Sequence, residues 1–244
     1  MKAFVALAIV LSLLLAGSVA LAATSDFRVR CGDRDQNRIA ITIDDCYNID
    51  HVREALELSE QYDIAFTFFV LGVNIKEEDA ELWRAVAESR CEIGNHTYSH
   101  KSLSDLDNIE IYKQLMRMQE ALDAVLGYHY PVQVMRPPYG NLNRDGADHV
   151  NKSIRAAGYD HAILWDIDST DPEQCYKNVK NGSILLFHTN AKDMRCIETL
   201  LPQLISDGYE LVTISELLGM DPVAPSDEVY TYINYYEWMA QKRQ

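Results

Sequence analysis

The chain has 244 residues, of which 37 are acidic and 22 are lysine or arginine, so its formal net charge is -15 at pH 7. An electrostatic field of this sign does not attract nucleic acid or anionic lipid, and we expect neither as a partner. The length suits a single domain of barrel size, and 48% hydrophobic residues can supply a substantial core.

The first 22 residues have the pattern of a secretory signal peptide. Lys2 gives a positive start, residues 3–16 are apolar apart from Ser12, and small residues at Ala20 and Ala22 suit a cleavage site. We therefore expect an exported protein that begins near residue 23. The alternative is an uncleaved membrane anchor, because the apolar run approaches the ~20 residues needed for a span.

Beyond a short lead-in at residues 23–37, strand-like and helix-like patterns alternate along the chain. The predicted strands are 38–45, 64–70, 91–94, 132–136, 159–165, 183–188 and 209–212; the predicted helices are 50–62, 78–89, 108–127, 143–157, 172–180, 194–207 and 214–219. This alternation favours parallel strands joined by helical crossovers. Seven strands instead of eight predict an α/β fold, a distorted seven-stranded (β/α) barrel, in one domain over residues 38–220.

Polar clusters follow four of the predicted strands, where a barrel of this kind builds its active site. They are Asp44-Asp45, residues 96–100, residues 136–140 and His188. His96 and His100 are four residues apart, a spacing that places both imidazoles on one side of a helical turn. Two histidines and a carboxylate form a common catalytic zinc set, although the same set also suits iron. The pattern therefore favours a metal-dependent hydrolase, with a non-haem iron oxygenase as an alternative.

Five segments resemble, in order, the five motifs of the polysaccharide deacetylases, the NodB-homology domain of carbohydrate esterase family four. These segments are residues 41–45, 95–100, 136–140, 165–171 and 186–188. The resemblance covers about residues 36–219 and implies a distorted (β/α) barrel. It also implies a secreted, cell-wall-facing enzyme that hydrolyses N-acetyl groups of sugars in a glycan such as peptidoglycan or a chitin-like polymer.

The resemblance assigns the metal ligands and the groups that move protons. Asp45, His96 and His100 would hold a divalent metal, usually Zn²⁺, with Co²⁺ or Ni²⁺ as alternatives. Asp44 would be the general base and His188 the general acid.

The same resemblance assigns supporting roles around these groups. Arg136 would hold the catalytic base, and Asp171 would pair with Arg136 or tune the general acid. The backbone N–H of Tyr139 would bind the oxyanion. Trp165 and Leu186 would line the acetyl pocket.

Two departures from the family pattern bear on substrate choice. Cys46 stands where the family usually has glycine, and Pro172 stands where it usually has tryptophan. Loss of that tryptophan removes an apolar wall of the site, so the substrate can differ from the family's usual one while the chemistry stays the same. The alternatives are an O-deacetylase of the same design and a carbohydrate-binding protein with a vestigial site.

The cysteines and the C-terminal segment leave further alternatives open. The five cysteines match no zinc-finger spacing, and Cys175 with Cys196 is the first pair to test for a disulfide if the protein is exported. Residues 221–244 form an aromatic-rich tail that either docks on the barrel or offers a sugar-stacking or partner surface. The sequence makes no prediction of oligomeric state.

Overall fold

The structure is a computed structural model that describes residues 27–142 and 148–227. The expected signal peptide, the start of the helix expected at 143–157 and most of the aromatic tail lie outside these ranges. The strands are β1 Arg28–Val29, β2 Arg38–Asp45, β3 Phe66–Val70, β4 Glu92–Asn95, β5 Ala162–Ile163, β6 Ile167–Asp168, β7 Ile184–His188 and β8 Glu210–Leu211. The helices are α1 Ile49–Tyr62, α2 Ala80–Glu88, α3 Asn108–Leu126, α4 His149–Ala156, α5 Pro172–Asn178, α6 Ala191–Ser206 and α7 Ile214–Leu217.

The strands form a parallel, barrel-like sheet centred on β2. β3 and β4 lie on one side of β2, β7 and β6 lie on the other, and β8 pairs with the start of β2. The register places Asp44 opposite both Phe69 of β3 and His188 of β7. The carboxyl end of β2 therefore lies beside the carboxyl end of β7, where the polar motifs meet.

The barrel is distorted because residues 132–136, expected to form its fourth strand, make isolated β-bridges in place of a regular ladder. Met135 bridges Asn95 on one side and Ala162 on the other, and β5 then pairs with the short strand β1. The prediction of a regular strand at 132–136 is therefore wrong. The prolines that flank the segment, Pro131 and Pro137, lack an N–H group and limit the ladder there.

Successive side chains of β2 point alternately to the two faces of the sheet. Ile41 and Ile43 pack in the large cluster with residues of the surrounding helices, such as Val52 of α1. Ala40 belongs instead to a cluster with Phe69, and Asp44 continues the alternate positions on that side. The strand therefore carries the Asp44 carboxylate into the barrel at the end where the site forms.

The helices end where local sequence signals require. Asn48 caps α1 by accepting a hydrogen bond from the Asp50 N–H, and Asp107 caps α3 in the same manner through Glu110. Gly127 ends α3 with φ 83°, a conformation that glycine adopts without steric cost. Within the described ranges, none of the helices combines the length and hydropathy required to cross a bilayer.

Candidate active site

Two neighbouring carboxylates enter the site because the backbone leaves strand geometry at the end of β2. Asp45 has φ 66° and Cys46 has φ 53°, both in the left-handed region. In a regular strand, adjacent side chains would point to opposite faces. The Asp45 carbonyl accepts a hydrogen bond from Asn74 Nδ2 at 2.9 Å, which braces the turn. The turn lets Asp44 and Asp45 serve one site, and it accounts for the family's glycine at the position of Cys46.

His96 and His100 converge through a loop and not through a helical turn. Thr97 has φ 73° and His100 has φ 58°, values that no right-handed helix contains. The expectation of a helical turn is therefore wrong, although the two rings do meet, with centroids 5.0 Å apart. Asn95 braces the loop, because its Oδ1 accepts a hydrogen bond from the Thr97 N–H at 2.8 Å.

The ligand atoms of Asp45, His96 and His100 lie within 4.8 Å of one another. Asp45 Oδ1 is 3.5 Å from His96 Nε2 and 3.6 Å from His100 Nε2. This oxygen is buried without a hydrogen-bond partner among the described residues. Burial of an unpaired carboxylate oxygen costs free energy, and a bound cation would offset that cost. The cluster fits a divalent metal.

The orientation and charge of His96 also suit coordination. His96 Nδ1 lies 2.8 Å from the Arg136 carbonyl oxygen, so it donates a hydrogen bond and turns Nε2 toward Asp45. Burial lowers the pKa of His96. The neutral imidazole that this favours is the form that binds metal.

The Asp44 carboxylate is held by a buried ion pair with Arg136. Arg136 Nη1 donates to Asp44 Oδ1 at 2.6 Å and to Thr42 Oγ1 at 2.7 Å. Arg136 Nε and Nη2 donate to the carbonyls of Ile163 and Leu164 at 3.3 and 3.2 Å. These bonds fix the guanidinium between β2 and the end of β5. The second oxygen, Asp44 Oδ2, lies 3.7 Å from His96 Nε2.

His188 is held by a carboxylate that the sequence analysis did not identify. Asp193 Oδ2 accepts the His188 backbone N–H at 2.7 Å and lies 3.3 Å from His188 Nδ1. This side-chain hydrogen bond raises the pKa of His188, while partial burial opposes the change. Because Asp193 binds Nδ1, His188 Nε2 is the ring atom that remains to serve a substrate.

The expected role of Asp171 requires correction. Its Oδ1 accepts the N–H groups of Glu173 and Gln174 at 3.0 and 3.4 Å, so Asp171 is the N-cap of α5. Pro172 follows as the first residue of that helix, and these constraints direct the Asp171 carboxylate to its own helix. Asp193 takes the place beside His188. One signal could have indicated it: an acidic residue in the first turn of the helix that follows the His188 strand.

Aromatic and apolar side chains form the surroundings of the polar groups. Tyr139 is 67% exposed, and the centre of its ring lies 4.5 Å from that of the His100 ring. The Arg136 guanidinium lies 5.5 Å from the centre of the Trp165 ring. Leu186 is buried on β7. Tyr139 therefore lies beside the ligand cluster, Trp165 lies beside Arg136, and Leu186 lies two residues before His188 on β7.

All five cysteines are free thiols in this structure. The Cys175 thiol of α5 donates to the Ser169 carbonyl at 2.9 Å, and the neighbouring Cys196 of α6 lowers the pKa of Cys175. A disulfide between Cys175 and Cys196 stays a prediction.

The fold and the site together define a class: an α/β barrel with a cluster of two histidines and one carboxylate, next to a second carboxylate and a third histidine. The family model described as polysaccharide deacetylase matches residues 32–174. The peptidoglycan-N-acetylglucosamine deacetylase PgdA of Listeria monocytogenes is 30% identical over 196 residues, covering 76% of this chain and 40% of that protein. The chain belongs to the polysaccharide deacetylase family, and it spans about two fifths of the length of the first curated relatives that it matches.

Solved structures agree with this assignment. The peptidoglycan deacetylase PdaC from Bacillus subtilis superposes with a TM-score of 0.65 at 26% identity, covering 86% of this chain and 98% of that chain. BA3943, a carbohydrate esterase family four pseudoenzyme from Bacillus anthracis, gives a TM-score of 0.69 at 23% identity over 81% of this chain and 71% of that chain. The second likeness shows the shared fold alone.

Proposed function

We propose that this protein is a metal-dependent N-deacetylase that removes acetyl groups from N-acetylated sugars of a glycan, with peptidoglycan as the leading substrate. One observation carries the proposal. A ligand set fit for a metal, Asp45 with His96 and His100, stands beside a separate carboxylate and a separate histidine, Asp44 and His188. The names of related proteins, which act on N-acetylglucosamine or N-acetylmuramic acid of peptidoglycan, support the substrate class.

Asp45, His96 and His100 would hold the metal, for which zinc is our first choice and cobalt or nickel the alternatives. When bound, a divalent ion polarises the acetyl carbonyl and lowers the pKa of water. His96, whose pKa burial lowers, and Asp45 Oδ1, which has no hydrogen-bond partner among the described residues, would supply the donor chemistry for this ion.

Asp44 would act as the general base. Arg136 holds one carboxylate oxygen at 2.6 Å, and the other oxygen lies near the ligand cluster, 3.7 Å from His96 Nε2. That second oxygen would accept a proton from water, and the water would then attack the acetyl carbon as the nucleophile. Burial of the pair excludes bulk water that would compete for the proton.

His188 would act as the general acid. An amide nitrogen is a poor leaving group until it is protonated, and the imidazolium of His188 supplies that proton from Nε2. Asp193 favours the charged form through Nδ1. The Tyr139 N–H would bind the oxyanion, while Leu186 and Trp165 would contact the acetyl methyl group.

Acetate release tests the proposal directly. The purified protein is incubated with N-acetylglucosamine oligosaccharides and with peptidoglycan, after chelation and after metal is restored. We expect release that stops with the chelator and returns with the metal. Saccharide binding without acetate release under every metal would overturn the proposal in favour of a vestigial site, and release only from O-acetylated glycans would identify an O-deacetylase.

Export is part of the same proposal, because a polymeric cell-wall substrate lies outside the cytoplasm. Residues 1–22 would be removed, and the mature chain would begin at or near Ala23. N-terminal sequencing of the exported protein checks this, and an intact Met1 would favour the anchored alternative.

A further inference from the structure

We propose that Gln114 of α3 is a positioning residue for His100, because it fixes the backbone of the loop that carries this ligand. The inference rests on the proposed function and deepens it, since His100 would help to hold the proposed metal. Gln114 is 5% exposed and lies on the buried side of α3, next to Leu115. A buried amide is expected to be hydrogen-bonded, and the partners of this amide lie in the ligand loop.

The amide oxygen of Gln114 receives the two N–H groups that directly precede His100. Gln114 Oε1 accepts the Tyr98 N–H at 3.2 Å and the Ser99 N–H at 2.9 Å. The Ser99 hydroxyl is also in contact with the amide, 3.2 Å from Oε1 and 3.1 Å from Nε2. One side chain therefore satisfies two consecutive backbone donors of the loop.

The carbonyls of the same loop are held from another side. The Thr97 carbonyl accepts the Gly72 N–H at 3.0 Å, and the Tyr98 carbonyl accepts the Val73 N–H at 2.9 Å. The segment that follows β3 thus binds the loop carbonyls, while Gln114 binds the loop N–H groups. Without Gln114, the loop would be held through its carbonyls but not through the two donors next to His100.

The two ligand histidines differ in how they are oriented. His96 donates from Nδ1 to the Arg136 carbonyl at 2.8 Å, so its own ring is fixed by a hydrogen bond. Within the described ranges, His100 donates through its backbone N–H, to Thr97 Oγ1 at 3.2 Å, but its ring packs on Tyr139 without a hydrogen bond of this kind. The position of His100 Nε2 therefore depends on the loop backbone more than that of His96 does.

Loss of the Gln114 oxygen would leave two partly buried N–H groups without their acceptor. A donor in this state costs free energy, and the loop would move to bring it to water. Because a metal requires its ligands at fixed distances, a displaced His100 would bind the ion less tightly. Groups that orient metal ligands typically contribute about 10-fold to 100-fold to metal affinity.

Gln114→Met tests this role, because methionine is unbranched like glutamine but has no amide. Zn²⁺ affinity is measured by competition with a chromophoric chelator, and the melting temperature is measured without metal. We expect the Kd for Zn²⁺ to rise about 10-fold to 100-fold, with acetate release reduced at limiting zinc and restored by excess zinc. Gln114→Glu keeps the accepting oxygen and should retain most of the wild-type affinity.

Gln119→Met is the matched control for a loss of stability alone. Gln119 lies on the same helix with the same exposure, and its Nε2 donates to Asp123 Oδ1 and to the Tyr130 carbonyl, both at 2.7 Å. Its loss should lower the melting temperature of the metal-free protein but leave the Kd for Zn²⁺ unchanged. If Gln114→Met does not fold, Gln114→Asn, whose amide is one methylene too short to reach the loop, takes its place.

Two results would overturn the positioning role: a wild-type Kd in the Gln114 variant, or an equal loss of zinc affinity in the Gln114 and Gln119 variants. The failure of the proposed function is distinguishable from both. Zinc binding by the wild type without acetate release would overturn the proposed activity and leave the comparison of affinities intact. No zinc binding by the wild type would overturn the metal site and the role of Gln114 together.

Discussion

The two sides of the candidate site are built with very different rigidity. On the ligand and base side, Asp44, His96 and Arg136 are each at most 3% exposed, and hydrogen bonds to β2, to β5 and to one another hold them. On the acid side, the His188 side chain is 39% exposed and is oriented by Asp193. The buried side chains have little freedom to move. On the exposed side, the orientation and the pKa of His188 depend on one carboxylate, that of Asp193. Substitutions on the two sides should therefore differ in kind and in size.

The largest effect is expected for the proposed metal ligands. His96→Ala or His100→Ala removes one of three ligands, so metal content should fall strongly and acetate release should be lost. Metal analysis of the purified variants measures this. His51→Ala on α1 is the matched control and should retain its metal. Full metal content in both ligand variants would place the metal elsewhere.

Substitutions of the two neighbouring aspartates should impair the enzyme in different ways. Asp44→Asn cannot accept the proton from water, so it should keep its metal but lose activity by a factor on the order of 10²–10⁴. Asp45→Asn weakens a ligand, so part of its activity should return when metal is in excess. A metal titration with acetate release as the readout compares them. Rescue of Asp44→Asn but not of Asp45→Asn would reverse the two roles.

A smaller effect, with a distinct pH dependence, is expected on the acid side. Asp193 raises the pKa of His188, so the protonated acid persists to higher pH than an ordinary histidine would allow. Asp193→Asn removes the charge and should move the alkaline limb of kcat/KM to lower pH, with roughly a tenfold loss on that limb. A pH profile measures it. An unchanged limb with reduced activity would indicate that Asp193 has only a structural role.

The smallest effect is expected at Asp171. Asp171→Ala removes the N-cap of α5, which costs about 1 kcal/mol and lowers the melting temperature by about 2–4 °C. Because Asp171 bonds to its own helix, the pH profile should not change. Thermal denaturation and the pH profile of this variant are thus the matched comparison for Asp193→Asn. A shift of the alkaline limb in Asp171→Ala would instead support the role first expected for Asp171, the tuning of His188.

The parts of the molecule that local sequence controls were predictable. The extent of α3 follows from its apolar periodicity and from Gly127, and the observed helix ends one residue before that glycine. The position of Asp44 at a strand end follows from the apolar run before it. These features depend on residues close together in the chain, which is why a single sequence shows them.

The parts that depend on loop geometry or on contacts between distant segments were missed. Asp193 reaches back from the first turn of a helix to the strand before it, and its place in that turn is the one sequence signal of the contact. Met135 lies where a strand was expected, but its pairing depends on Asn95 and Ala162, which are far away in the chain. His96 and His100 meet through left-handed residues that their spacing does not indicate. The resemblance to a family supplied the chemistry, whereas the geometry required the structure.

The left-handed backbone of the site loops has an energetic consequence. In the described part of the chain, five of the six non-glycine residues with positive φ lie in these loops: Asp45, Cys46, Thr97, His100 and Tyr139. Such conformations cost about 1–3 kcal/mol each and persist only where surrounding contacts enforce them. An ion held by Asp45, His96 and His100 would bind the strained arrangement in preference to a relaxed one. Ligand binding and global stability would then be linked, and the melting temperature would report the concentration of free metal.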